Sequence, residues 1–301
     1  VTPLQRYLAE EIATDHVDGL LTRREALRRL ALLGVGTAAA SALIAACRRA
    51  AEQPAPATGE STAGPAAAPP GADAARPTVP ITWPGPRGEL RGAWAAASQP
   101  RGGVLVIHEN KGLTDHIRSV AGRLAGVGYS ALAIDLLSGH GGTETFADPA
   151  EATAALGSLP PADAVADLKS GVDELARRVP GRRLAAVGFC MGGTMVWRLL
   201  AAGEPRLAAA VPFYGPTPDD PDFSGSRDVA VLGIYAENDQ RVNATEPVAR
   251  AALEAAGMVF ELVTEPGAGH AFFNDTGERY NAAAAADAWR RLREWFARHL
   301  D

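Results

Sequence analysis

The sequence predicts an α/β fold in which a mostly parallel central sheet is covered by helices on both faces. Three observations predict it. Short apolar runs at 104–108, 129–134, 184–187, 207–213, 229–235 and 259–263 have the length and continuity of strands buried on both faces. Stretches of helical periodicity lie among them, at 114–127, 161–178, 191–202, 244–256 and 279–299. Two earlier runs, 79–83 and 89–97, flank Pro84-Gly85-Pro86 and read as strands joined by a turn. Residues 138–160, rich in Gly, Thr, Ala and Pro, read as a mobile loop.

The chain divides into three parts. Residues 1–47 have the form of an N-terminal extension with an export signal. Paired Arg23-Arg24 precede an apolar run over 30–46, the pattern of a twin-arginine leader. The run ends in Leu43-Ile44-Ala45-Ala46-Cys47, like a lipoprotein cleavage site, which makes Cys47 the candidate for lipidation and a membrane tether. The chain is then expected outside the cytoplasm, anchored or periplasmic; if 30–46 instead forms an ordinary helix, it is expected inside. Residues 1–21 are long and acidic for a leader, with Glu10, Glu11, Asp15 and Asp18, and are compatible with a short helix. Residues 48–78, dominated by Ala, Pro and Gly, read as a disordered linker, since they offer too little apolar surface to offset ordering entropy. Residues 79–301 form the folded domain.

Composition excludes some functions. A net charge of −6 provides no basic footprint for nucleic acid. The cysteines, Cys47 and Cys190, form no ligand cluster with histidines, so no metal and no cofactor is expected.

The chemistry is concentrated at Gly188-Phe189-Cys190-Met191-Gly192-Gly193. The segment follows a strand and opens a helix, the setting of a G-x-nucleophile-x-G elbow and hence of an α/β-hydrolase. Glycines on either side permit close strand–helix approach, and the helix N-terminus favours a thiolate and an oxyanion. Cys190 is therefore the candidate nucleophile. Asp239 and His270 follow in the expected order, each just past a strand, as acid and base of a triad. Glu237 is a weaker alternative acid. His108, His116, His140 and His299 fall on a strand, a helix, a loop and the last helix, where core or surface roles are expected; His16 falls in the leader. The oxyanion hole is expected from the N–H groups of Met191 and Asn110.

Residues 79–301 resemble the dienelactone hydrolase family. The resemblance is carried by His108-Glu109-Asn110 with Gly112-Leu113, Asp135-Leu136, the cysteine elbow, Tyr214-Gly215, Asp239 and Gly267-Ala268-Gly269-His270-Ala271-Phe272. It implies a small-molecule ester or lactone as substrate. It also implies that Glu109 meets Cys190 at rest and helps form the thiolate when substrate arrives. Two arginines that bind the substrate carboxylate in such enzymes have no counterpart, since Gly139 and Asn274 stand there. Arg118 and Arg241 are candidates to compensate. The expected activity is hydrolysis through an acyl-cysteine. The competing reading is a non-catalytic, surface-tethered binding domain, disfavoured by the joint presence of Cys190, Asp239, His270 and Glu109. The sulfur argues against a serine-type peptidase or lipase.

Overall fold

The computed structural model describes residues 2–51 and 68–301. Three helices come first: α1 (Pro3–Val17), α2 (Arg23–Leu32) and α3 (Thr37–Ala51). The sheet then begins with β1 (Val79–Gly85), β2 (Gly88–Ala95) and β3 (Gly102–Ile107). It continues through α4 (Asp115–Gly126), β4 (Tyr129–Asp135), α5 (Pro149–Ser158), α6 (Pro161–Arg178) and β5 (Leu184–Phe189). The remainder is α7 (Met191–Ala201), β6 (Leu207–Phe213), β7 (Ala230–Ala236), α8 (Gln240–Asn243), α9 (Glu246–Ala255), β8 (Phe260–Glu265) and α10 (Ala282–Leu300).

The eight strands form one sheet in the order β1-β2-β4-β3-β5-β6-β7-β8. The β1–β2 and β2–β4 pairs are antiparallel and every other pair is parallel. This is the α/β-hydrolase architecture that the alternating runs predict. Strands β3, β4 and β5 are buried along their whole length, which is why they read as continuous apolar runs. Helices α4 and α10 pack on one face and α6 and α7 on the other. Each presents an apolar stripe at helical spacing, such as Ile117, Val120, Ala121 and Leu124 on α4.

Three regions differ from the sequence expectation. Residues 138–160 are mostly structured: two short 3-10 turns precede α5, whose N-cap Asp148 accepts from Ala150 N–H at 2.9 Å, with Pro149 in the first turn. Of the expected linker, 52–67 lies outside the described residues, while 71–76 are held on α4. There Arg76 N–H donates to Gly122 O at 2.9 Å, and a Cβ on Gly122 would lie 2.4 Å from Arg76 O.

The N-terminal region is the third. The apolar run over 30–46 is divided by a turn between α2 and α3, and no described helix is long and apolar enough to cross a membrane. Helix α1 packs against α2, α3 and α5. It starts with a capping box: Gln5 N–H donates to Thr2 Oγ1 at 3.0 Å, and Thr2 N–H to Gln5 Oε1 at 2.8 Å. Its buried residues Leu4, Tyr7, Leu8, Glu11 and Ile12 follow helical spacing, with a carboxylate in the middle of the stripe.

Candidate active site

The elbow is built as its glycines require. Cys190 has φ 56° and ψ −117°, a left-handed conformation that costs a non-glycine residue about 1–3 kcal/mol. The surrounding backbone leaves it no alternative. A Cβ on Gly188 would lie 2.1 Å from Gly192 O, one on Gly192 2.3 Å from Ile107 O, and one on Gly193 2.4 Å from Phe213 O. Cys190 N–H donates to Phe213 O at 3.1 Å, which ties the turn to β6. The thiol thus stands at the C-terminal end of β5 and the N-terminus of α7, buried with 3% exposure.

Asp239 follows β7 and caps α8, its Oδ1 accepting from Val242 N–H at 3.3 Å. Its Oδ2 is hydrogen-bonded to His270 Nδ1. That bond fixes the imidazole and aims Nε2 at the sulfur side. Ala271, directly after the histidine, has φ 62°, a second strained residue beside the site. Cys190 Sγ and a ring nitrogen of His270 lie within 4.8 Å of each other. Glu237 is exposed and accepts from Gly267 N–H at 2.7 Å, so Asp239 rather than Glu237 reaches the imidazole.

The other expected residues separate into near and remote. Glu109 and Asn110 follow β3, and Met191 opens α7 directly after the thiol. Asn110 O accepts from Thr153 Oγ1 on α5 at 2.8 Å, which anchors the loop. Glu109 is buried. Its Oε2 accepts from Asn274 Nδ2 at 2.6 Å, and its Oε1 has no partner among the described residues. The resting contact between Glu109 and the thiol that the resemblance implies is not made here. Asn274 instead pairs with that glutamate. Gly139 faces open space. His108 is a buried core residue that accepts from Leu136 N–H at 3.1 Å, and His116 pairs with Asp275 at 2.8 Å. Asp135 staples its own loop, accepting from Thr143 N–H at 2.7 Å and Leu137 N–H at 3.0 Å.

The place expected for Glu109 is taken by helix α1. Tyr7 Oη lies 3.0 Å from Cys190 Sγ. Glu11 Oε1 lies 3.1 Å from His270 Nε2, and its other oxygen is ion-paired with Arg241. The Arg241 guanidinium also stacks on the Tyr7 ring at 4.7 Å. Of the two candidate arginines, Arg241 does point into the site, where Glu11 engages it. Asp15 and Asp18 on the same helix pair with Arg279 at 2.8 and 2.6 Å.

These neighbours set the protonation state. Burial by itself would lower the His270 pKa. Glu11, Asp239 and Cys190 together overcome that and hold it well above its ordinary value. Burial, then Glu11, pushes the Cys190 thiol up, against the opposite pull of His270. Burial opposes ionisation of Glu11, yet His270 and Arg241 hold its carboxyl well below the usual range. Both shifts favour a neutral thiol beside an imidazolium whose counter-ion includes Glu11.

Comparison with known proteins accords with this geometry. The model of the dienelactone hydrolase family matches residues 90–300. The chain belongs to that family. A Salmonella typhi protein named "putative carboxymethylenebutenolidase" is 37% identical over 209 residues, covering 65% of this chain and 77% of the relative. A protein of the same name from Saccharolobus solfataricus is 29% identical over 244 residues, covering 70% and 94%. Among solved structures, a dienelactone hydrolase homologue from Klebsiella pneumoniae aligns with TM-score 0.63 and 30% identity, over 74% of this chain and 99% of the other. This member of the family is accordingly a carboxylic ester hydrolase of the dienelactone hydrolase type, and a small ester or lactone substrate fits it.

Proposed function

We propose that the protein hydrolyses a carboxylic ester or lactone through Cys190, His270 and Asp239, by way of an acyl-cysteine. The observation that carries this is the strained elbow thiol within 4.8 Å of an imidazole whose Nδ1 is held by Asp239. With the imidazole in its neutral form, His270 Nε2 takes the thiol proton as Sγ adds to the carbonyl carbon. The N–H groups of Met191 and Asn110 receive the oxyanion. Collapse expels the alkoxide, which takes the proton from His270. Water, deprotonated by His270, then cleaves the thioester and restores the thiol. Asp239 keeps the imidazole in one tautomer throughout and stabilises the imidazolium. Gly139 and Asn274 favour an ester or lactone without a carboxylate at the positions the missing arginines would serve. The test is p-nitrophenyl acetate with mass spectrometry of the quenched protein. An acetyl adduct on Cys190 and loss of turnover in Cys190→Ala are expected; undiminished turnover in that variant would overturn the assignment.

We further propose that the chain is exported and tethered through Cys47. Supporting this, Arg23 and Arg24 are exposed at the start of α2 and the sequence ahead of Cys47 resembles a lipoprotein cleavage site. A mature chain beginning at a lipid-modified Cys47 is expected from mass spectrometry of the membrane fraction. A mature chain that retains residues 1–46 would refute it.

A further inference from the structure

We propose that helix α1 is an inhibitory plug: Tyr7 and Glu11 occupy the space and the contacts that an acyl substrate needs, and the site opens only when α1 leaves. This rests on Cys190 being the nucleophile.

The steric case is direct. A reacting carbonyl carbon must come within about 3–3.5 Å of the sulfur. Tyr7 Oη already stands at 3.0 Å from Sγ, and the whole Tyr7 side chain is buried with only 6% exposure. Glu11 lies 3.1 Å from Nε2, the atom that must shuttle the proton, and is itself buried with 5% exposure. Two surface cavities, of about 490 and 90 Å³, are lined by other residues, such as Arg183 and Asp301 for one and Leu137 and His140 for the other. Neither offers a way to the thiol.

The hold is also specific. Three of the four acidic residues that look out of place in a leader find a partner. Glu11 pairs with Arg241, two residues after Asp239, and Asp15 and Asp18 pair with Arg279. On the apolar side, Leu8 packs over Gly157 of α5. The electrostatics disable the base as well. With Glu11 in place the imidazole is favoured in its protonated form and the thiol in its neutral form, which opposes activation of the sulfur by His270. Removing Glu11 returns the imidazole toward the neutral form that accepts the thiol proton.

A release route lies in the same chain. Helix α1 ends at Val17, so a cut ahead of Cys47 removes it whole. Under that route the precursor is inactive and its processing and activation are one event. Until then, activity scales with the small fraction of molecules whose α1 is undocked.

The test uses the full chain. Glu11→Arg sets a cation against Arg241 and Arg279. Gly157→Leu lies outside the site, but its Cβ would fall 2.6 Å from Leu33 Cδ2 of the helical arm, so the longer side chain must push the arm away. The readouts are the rate of iodoacetamide labelling at Cys190, with Cys190→Ala as the control for position, and kcat/KM toward p-nitrophenyl acetate. Both variants are expected to label at least tenfold faster than wild type and to gain turnover in proportion. Equal labelling rates in wild type and both variants would overturn the plug. So would faster labelling accompanied by loss of turnover in both, because α1 would then be a working part of the site. Faster labelling with no hydrolysis in any form, wild type included, would leave the closure intact and refute the hydrolase reading instead.

Discussion

Residues 188–193 and residues 3–17 meet at the Cys190 sulfur and are held there by different means. The elbow is fixed by backbone against backbone. β5 is paired on both sides, Cys190 N–H is bound by Phe213 O, and three glycines leave no room for a single methyl group. Helix α1 is fixed by side chains: one apolar stripe, Tyr7 on the thiol, and acidic residues on Arg241 and Arg279. Backbone packing inside a sheet opens only with the whole fold, whereas a docked terminal helix can open alone. The chemistry thus sits on the part that cannot move, and access to it on the part that can.

The largest expected effect breaks the rigid half. In Gly192→Ala the new methyl would stand 2.3 Å from Ile107 O and 2.7 Å from His108 O, both backbone atoms that cannot yield cheaply. A cost of roughly 3 kcal/mol or more is expected, together with loss of turnover, because the elbow and the β3 end must separate. Denaturant unfolding and the p-nitrophenyl acetate assay check both. A variant with wild-type stability and activity would show that the elbow is less constrained than its contacts imply.

That rigidity is also why the elbow could be read from sequence. Its glycines are required by local geometry, so residue type and spacing alone locate Cys190, and strand ends then locate Asp239 and His270. Fold position favours Asp239 over Glu237, and in the structure Asp239 is hydrogen-bonded to His270 while Glu237 is exposed. The contact of Glu109 differs from the one the resemblance implies because Asn274 and Tyr7, 165 and 183 residues away along the chain from their partners, decide it. Helix α1 was present as a capping box and a 4-7-8-11-12 stripe, but its central Glu11 makes the stripe look broken until Arg241 is placed opposite. The acidic residues were visible; the arginines that explain them are joined to them only by the fold. Helix α5 was likewise signalled by Asp148-Pro149 but hidden by a loop-like composition.

A smaller effect tests the electrostatic part of the docked helix. His270 faces Glu11, Asp239 and Cys190, with Arg241 and Tyr7 beside them. Docking raises the His270 pKa, so this contribution to docking is full at low pH and is lost as pH rises through the raised value. Glu11→Gln removes the main raising charge. The rise of kcat/KM with pH is expected to begin at lower pH in Glu11→Gln than in wild type. Superimposable pH profiles would mean that Glu11 does not govern the protonation of the base.

The smallest expected effect probes a charge inside the rigid half, where access should not change. Glu265 ends β8 and its carbonyl accepts from Glu237 and Ala268 N–H, so it frames the turns that carry the acid and the histidine. Its carboxyl is buried, with Arg291 no closer than 3.7 Å, and burial together with Asp287 pushes its pKa from 4.5 up to about 7. A raised carboxyl pKa contributes stability that is full below 4.5 and lost as pH rises to about 7. Glu265→Gln stays neutral and avoids that loss. Near pH 4 the two proteins should melt alike, and at pH 8 the variant should be more stable by about 1 kcal/mol, the shift being discounted for partial screening. Thermal melts across pH measure this. Iodoacetamide labelling of Cys190 should stay at the wild-type rate, because a charge in the catalytic body tunes the stability of the fold while the charges on α1 govern the opening of the site.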